Sequence, residues 1–340
     1  MLVVLKKDAT DQNVDELIAR IKSLGLRAEV IPGSTRTAVG ILGNTGYVDG
    51  DSLTQMPGVK EVIHVTKAYK LVSREWKKED TVIDVDGVKI GGNNFVVMAG
   101  PCSVESEEQL MKTAEAVKAA GAQILRGGAY KPRTTPYAFN GLGEEGLKLL
   151  QKAKKAYGLP IVTELLHVQN LDLVAANTDI IQIGARNMQN FEMLLAVGKL
   201  KKPILLKRGM SARMEEFLLA AEYILNAGNP NVIFCERGIR TFETATRNTL
   251  DLNIVALVKE LSHLPIIADP SHGTGRYSLV TPLSLASFAV GAHGIMVEVH
   301  PEPAKALSDG DQSLNFENFG KLMKKIKVYH SLIDPETSSG

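Results

Sequence analysis

A chain of 340 residues is long enough for a large barrel plus a small extra domain, each with a buried core. With 44% hydrophobic and 23% charged residues and a net charge of +1, it is an ordinary globular chain with no reason to seek nucleic acid or a membrane surface. No apolar run approaches the roughly 18 residues of a membrane span, Met1–Asp11 lacks the apolar core of a signal peptide, and Cys102 and Cys235 are too few for a disulfide framework, so a cytoplasmic address is expected.

Residues 1–66 read as a separate ferredoxin-like domain of βαββαβ order. Leu2–Leu5 is a strand, and Val14, Leu17, Ile18 and Ile21 give Val14–Leu24 helical spacing. Ala28–Ile31 and Thr37–Leu42 are strands on either side of Pro32-Gly33-Ser34. A short helix capped by Asp51 or Ser52 follows, and Glu61–Val65 closes the set. Residues 67–93 read as a charged linker, Lys67–Asp80, and a hairpin, Thr81–Gly91, turning at Asp86-Gly87.

From 94 to 340 the pattern becomes regular. Strand-length apolar runs fall at Phe95–Ala99, Gln123–Arg126, Pro160–Glu164, Asp179–Ile183, Pro203–Lys207, Val232–Glu236, Pro265–Asp269 and Gly294–Val299. Helical stretches lie between them: Glu107–Ala120, Glu144–Tyr157, Phe191–Leu200, Met214–Ala227, Thr244–Lys259 and Pro282–Val290, with Phe316–Leu332 last. Eight such units predict an α/β fold, a (β/α)8 TIM barrel.

A TIM barrel collects its functional residues at the C-terminal ends of its strands. Polar residues do cluster at those ends: Cys102-Ser103, Arg126-Gly127-Gly128, Glu164, Gly184-Ala185-Arg186-Asn187, Lys207-Arg208, Glu236-Arg237-Gly238, Asp269-Pro270-Ser271-His272 and Glu298-Val299-His300. A single arginine there would be an unremarked surface charge; basic residues at the ends of four strands are not explained that way. Arg126, Lys131, Arg133, Arg186, Lys207 and Arg237 predict a cationic mouth built for a substrate load of several negative charges. Cys102, His272 and Glu298 end strands one, seven and eight, and Asp309 follows in the last loop. Singly, Cys102 reads as a buried thiol and His272 as a loop residue. Together they suit a borderline divalent ion, Mn2+, Fe2+ or Zn2+. Cys235 reads as core or as packing between barrel and helix.

Gly141-Leu142-Gly143-Glu144-Glu145-Gly146 matches G-x-G-x-x-G, but no strand precedes it. Glu144 and Glu145 put negative charge where a pyrophosphate would sit. They are better explained as first-turn acids complementing a helix dipole.

The runs Ala99–Ser103, Leu125–Thr134, Gln182–Asn187, Leu206–Gly209, Cys235–Gly238 and Asp269–His272 resemble those of the class I 3-deoxy-D-arabino-heptulosonate 7-phosphate (DAHP) synthases, from about residue 68 to the C-terminus. The N-terminal unit resembles the regulatory domain that one branch of that family carries. The resemblance implies a shikimate-pathway transferase that condenses phosphoenolpyruvate with erythrose 4-phosphate, releases phosphate and assembles as a homo-oligomer, a tetramer. It implies Cys102, His272, Glu298 and Asp309 as metal ligands, with Lys131, Glu164, Cys102 and His272 as catalytic groups. Arg126, Lys131 and Lys207 would hold the enolpyruvate carboxylate, and Gly184-Ala185-Arg186 and Arg237 its phosphate. Lys131-Pro132-Arg133-Thr134 would receive the aldose, and Glu164 would position water or move a proton. An aromatic amino acid, Tyr or Phe, would act as feedback effector through the N-terminal unit; a plain dimerisation module is the alternative.

The nearest rival, 3-deoxy-octulosonate 8-phosphate synthase, uses arabinose 5-phosphate and reads Lys-Ala-Asn-Arg where this chain has Lys131-Pro132-Arg133-Thr134. A metal-dependent aldolase or phosphosugar isomerase has fewer anions to hold. A non-catalytic sensor barrel has no need of an intact ligand set.

Overall fold

The computed structural model describes residues 1–33, 36–43, 50–63, 68–132 and 135–333. Two compact units, Met1–Lys78 and Glu79–Gly340, divide the chain. The first is built on an antiparallel sheet of β1 (Leu2–Leu5), β2 (Arg27–Ile31), β3 (Ala38–Leu42) and β4 (Val59–Ile63), ordered β2-β3-β1-β4. Helix α1 (Asp11–Ser23) starts at a capping box, in which Thr10 and Asn13 bond each other's backbone N–H. Its Leu17 and Ile21 meet Val3, Val39 and Ile41 of the sheet in one core. The short helix Asp51–Thr54 is capped by Gly50 without a side-chain bond; neither Asp51 nor Ser52 fills that role, because the helix already includes both. His64 and Val65, the end of the last expected strand, lie outside the described residues.

The segment expected as a charged linker contains buried groups, Tyr69, Leu71 and Val72. Trp76 lies so close over Gly40 that a Cβ there would stand 1.8 Å from the indole. Apolar residues scattered singly among charges show no period, so composition conceals such packing.

In the second unit, β5 (Ile83–Val85) and β6 (Val88–Ile90) form the expected hairpin, with Asp86 (φ 49°) and Gly87 (φ 86°) both in the left-handed region that a type I′ turn requires. Eight parallel strands follow and close on themselves: β7 (Val96–Gly100), β8 (Ile124–Arg126), β9 (Ile161–Leu165), β10 (Ile180–Ile183), β11 (Ile204–Lys207), β12 (Val232–Glu236), β13 (Ile266–Ala268) and β14 (Gly294–Glu298). Closure joins β14 to β7, setting Glu298 opposite Gly100. Met98, Ile233, Ile267 and Met296 are among the interior residues, and the hairpin adds Ile83, Val85 and Ile90 to the same cluster. Cys235 belongs to this interior, opposite Lys207 on the neighbouring strand. Among the described residues no helix is long and apolar enough to cross a membrane.

Two helices differ from expectation. The stretch predicted as Thr244–Lys259 is helical only over Leu252–Leu261. Side chains here bond the local backbone instead: Glu243 Oε1 accepts from the N–H of Thr244 and Ala245, and Thr246 Oγ1 donates to the Asn248 carbonyl. The helix expected to begin at Pro282 spans Tyr277–Ala289 with Pro282 inside it, forgoing one ladder bond. A helix at Leu171–Ala176, after β9, was not foreseen.

Candidate active site

The strand ends of the barrel converge on one cavity lined by Arg126, Lys131, Pro132, Glu164, Gly184, Ala185, Arg186, Lys207, Arg237, His272 and Asp309. Arg133 and Thr134 lie outside the described residues. Gly141 and its neighbours do not line this cavity: the loop enters the helix Glu144–Tyr157 through Gly143, with Glu144 and Glu145 in its first turn.

Period-two alternation selects which cation faces inward. On β11 Lys207 lines the cavity, whereas Arg208 is buried against Glu236 (3.0 Å) and Asp251 (2.9 Å). After β12 the same rule turns Glu236 out and Arg237 in. Glu164 and Gln182 stand opposite each other on β9 and β10, and Gln182 Nε2 donates to Glu164 Oε2 at 3.0 Å. That carboxylate lies over Gly184, where a Cβ would be 2.1 Å from Oε1, so any larger residue would push the Glu164 carboxylate aside.

The cations fall into two groups. Arg126 (4% exposed) donates to Glu298 Oε1 at 3.1 Å and to the Pro101 carbonyl at 2.7 Å, while its buried Nε has no partner among the described residues. Lys207 meets Asp269 Oδ2 at 2.5 Å, and Lys131 Nζ stands 3.0 Å from Cys102 Sγ. Arg186 and Arg237 lack acid partners among the described residues. Arg237, although 5% exposed, donates only to the Gly238 carbonyl, and burial draws its guanidinium below the ordinary value. Of the two, Arg237 is buried and Arg186 is exposed; a buried cation without a protein counter-ion is a receptor for an anion, and an exposed one beside it can share the load.

Beside them lies a donor cluster. One ligand atom each from Cys102, Glu298 and Asp309 falls within 4.8 Å of the others, comparable with twice metal–ligand bonds of about 2.0–2.3 Å. Cys102 Sγ is 3.3 Å from Asp309 Oδ2, and His272 Nε2 is 3.5 Å from Glu298 Oε1. The sequence Asp269-Pro270-Ser271-His272 explains the imidazole's placement. Asp269 caps the short helix Pro270–Thr274 by accepting the His272 N–H at 2.9 Å, Pro270 opens its first turn, and Asp269 Oδ2 takes Nδ1 at 2.8 Å. His272 is outside the group whose atoms all lie within 4.8 Å of one another; with Nδ1 engaged, Nε2 is the nitrogen left to face it, next to Glu298. The donor set fits a divalent transition ion.

Electrostatics agree with that fit. Burial pushes the Cys102 thiol up to about 12, Glu298 adds to the rise, and Lys131 and Arg126 oppose it. Burial also draws His272 down against the pull of Asp269 and Glu298, leaving it neutral at neutral pH. Burial works against ionisation of Glu298, but His272 and Arg126 beside it hold its carboxyl below the usual range. Asp309, despite its burial, is lowered to about 2 by His272, Arg247 and Lys131. It is also one of two non-glycine residues with positive φ among the described residues, at 51°.

The comparisons with known proteins fit this geometry. The model of the DAHP synthetase I family matches residues 75–333, and the DAHP synthase ferredoxin-like domain matches residues 1–67. The chain belongs to the DAHP synthetase I family. It is 54% identical over 327 residues to the phospho-2-dehydro-3-deoxyheptonate aldolase of Thermotoga maritima, covering 96% of this chain and 97% of that one. The crystal structure of a Thermotoga maritima DAHP synthase superposes with a TM-score of 0.78 at 53% identity, covering 98% and 97% of the two chains. A truncated form of a Thermotoga maritima synthase gives 0.74 at 55% identity, over 78% of this chain and 97% of its own. By contrast, the 2-dehydro-3-deoxyphosphooctonate aldolase of Syntrophobacter fumaroxidans is 29% identical over 268 residues, 74% of this chain and 92% of its own. The DAHP synthase family thus accounts for both units, and the enzyme is a transferase of the 3-deoxy-7-phosphoheptulonate synthase type.

Sequence reasoning passed over several participants. Asp269 was seen as a strand end but not as the group that orients His272. Gln182 could have been found from its place opposite Glu164 on the next strand. Arg247 also lines the cavity and bonds Asp309 Oδ1 at 3.1 Å, but it sits in the stretch read as helix.

Proposed function

We propose that this DAHP synthase joins phosphoenolpyruvate to erythrose 4-phosphate at the β-barrel mouth, with a divalent transition ion, Mn2+, Fe2+ or Zn2+, held by Cys102, His272, Glu298 and Asp309. The carrying observation is that five cations, Arg126, Lys131, Arg186, Lys207 and Arg237, share one cavity with His272 and Asp309 of the donor cluster. When bound, the ion supplies Lewis acidity to the aldehyde oxygen.

Arg126, Lys131 and Lys207 take the carboxylate of phosphoenolpyruvate, and Arg186 and Arg237 its phosphate, the arginines as bidentate forks and the lysines as point charges. Lys131, Pro132, Arg133 and Thr134 receive the aldose phosphate. Held together against their mutual repulsion, the two anions react as neighbours. C3 of phosphoenolpyruvate bonds to the aldehyde carbon, whose oxygen gains a proton and becomes a hydroxyl. Positive character at C2 is met by water, which loses a proton as its oxygen bonds there. The C2–O bond to the phosphate oxygen then breaks as the new C2 hydroxyl gives up its proton to the leaving phosphate, giving inorganic phosphate and the ketone. Glu164, oriented by Gln182, is placed to hold that water or take its proton.

The test is phosphate release with phosphoenolpyruvate and each aldose phosphate in turn, before and after chelation. Erythrose 4-phosphate should turn over at least about tenfold faster than arabinose 5-phosphate, a difference of about 1.4 kcal/mol in the barrier. Full activity after complete metal removal would sink the metal assignment, and equal rates would sink the choice of aldose.

The N-terminal unit is proposed to carry feedback by an aromatic amino acid, tyrosine or phenylalanine, supported by its match to the family's ferredoxin-like domain. Removing residues 1–66 should leave catalysis within a few-fold and abolish inhibition by either amino acid. Retained inhibition would place the effector on the barrel.

A further inference from the structure

Arg247 belongs to no strand end, yet it lies at the edge of the donor cluster. Its Nη1 donates to Asp309 Oδ1 at 3.1 Å and to Gln312 Oε1 at 2.8 Å. Gln312 is buried, and its Nε2 donates to Glu298 Oε2 at 2.8 Å. The other oxygens of these two carboxylates face the cluster: Asp309 Oδ2 toward Cys102 Sγ, and Glu298 Oε1 toward His272 Nε2. The next residue, Asn248, donates its side-chain N–H to the backbone carbonyl of His272 at 2.9 Å. Two consecutive residues of one loop therefore reach three of the four proposed ligands. The loop is itself anchored, because the Arg247 N–H bonds the Thr274 carbonyl at 3.0 Å.

We propose that Arg247 is a positioning residue of the metal site. It fixes the outer oxygen of Asp309 directly and that of Glu298 through Gln312, so that one oxygen of each is presented inward. Asp309 needs such a hold, since it stands on a positive-φ turn with its side chain 25% exposed. Partners that orient ligand carboxylates in this way change metal affinity by about 10–100-fold. A merely structural ion pair would behave differently. The Arg247 side chain is 44% exposed, and pairs that exposed contribute little to folding stability.

The inference rests on the metal reading above, and the experiment separates the two. Full-length wild type, Arg247→Met and Arg247→Lys are titrated with Co2+, following the thiolate-to-cobalt absorption band of Cys102, and metal-free samples are melted in parallel. Arg247→Met should bind Co2+ about 10–100-fold more weakly with an unchanged melting temperature. Lysine, which also offers several N–H groups from one nitrogen, should restore most of the affinity. Equal affinity in Arg247→Met overturns the role of Arg247 alone, as does a weaker affinity accompanied by a lowered melting temperature. Absence of the band in wild type overturns the metal reading and the proposal with it.

Discussion

Cys102→Ser should lose the metal and keep the fold. The thiol is 3% exposed, and the oxygen replacing it has partners ready in Ser308 Oγ, 3.2 Å from Sγ, and in Lys131 Nζ at 3.0 Å. A satisfied buried hydroxyl costs no more than about 1–2 kcal/mol. Metal affinity is another matter, because thiolate is the soft donor of the set. The loss should exceed the roughly 100-fold upper range of an orienting partner, and activity should fall with it. Proton counting gives an independent check. At neutral pH the thiol, pushed up to about 12, is protonated, while His272 is neutral and Glu298 and Asp309 are ionised. Metal uptake by the wild type should therefore release close to one proton, and affinity should rise about tenfold per pH unit between pH 7 and 9. Calorimetry in buffers of different ionisation enthalpy measures that proton. A Cys102→Ser protein that unfolds while an unfolding-corrected affinity stays at the wild-type level would make Cys102 a core thiol after all.

Several parts of this site that are legible in the sequence share one property: they sit at the end of a buried strand, where an apolar run stops and a charge begins. Arg126, Glu164, Lys207, Arg237 and Glu298 all have that signature, and all reach the mouth or its donor cluster. The signature fails to distinguish neighbours. Lys207 and Arg208 are equivalent by eye, and only the pleat sends one to the cavity and the other to Glu236 and Asp251. It also fails for groups that arrive by loops. Arg247 lies just after Glu243 and Thr246, whose side chains bond the local backbone, so the apolar period of Leu252–Leu261 does not reach back to it. Nothing local marks Gln312 as the partner of Glu298, 14 residues away and buried with it. The linker presented the same difficulty: Trp76 gains its meaning from Gly40 on another element.

Lys207→Met is expected to do the most damage outside the donor set, through Asp269. The pair is buried on both sides, 4% and 0% exposed, with Nζ 2.5 Å from Oδ2. Burial alone would raise the Asp269 carboxyl, but His272 and Lys207 hold it well below its ordinary 3.8. A depressed carboxyl contributes stability that is present above the unfolded value and is lost as pH falls through the folded one. Without Lys207 the folded value climbs, so the acid limb of the stability profile moves to higher pH. Breaking a buried pair costs about 3–5 kcal/mol; here the lower end is expected, since the His272 N–H and Nδ1 still bond Asp269. Urea denaturation at pH 7 and pH 5 measures both effects. The imidazole responds as well. Lys207 helps to keep His272 unprotonated, so its removal lets His272 take a proton more readily, and a protonated His272 cannot offer Nε2 to a metal. Metal loss on acidification should therefore begin at a higher pH than in wild type. For phosphoenolpyruvate, a missing charge-assisted bond of about 1.5–3 kcal/mol lowers kcat/KM roughly 10–100-fold. Unchanged stability together with unchanged kcat/KM would show that Lys207 neither supports Asp269 nor meets the substrate. A stability loss with kcat/KM intact would leave it the first role only and hand the carboxylate to Arg126 and Lys131.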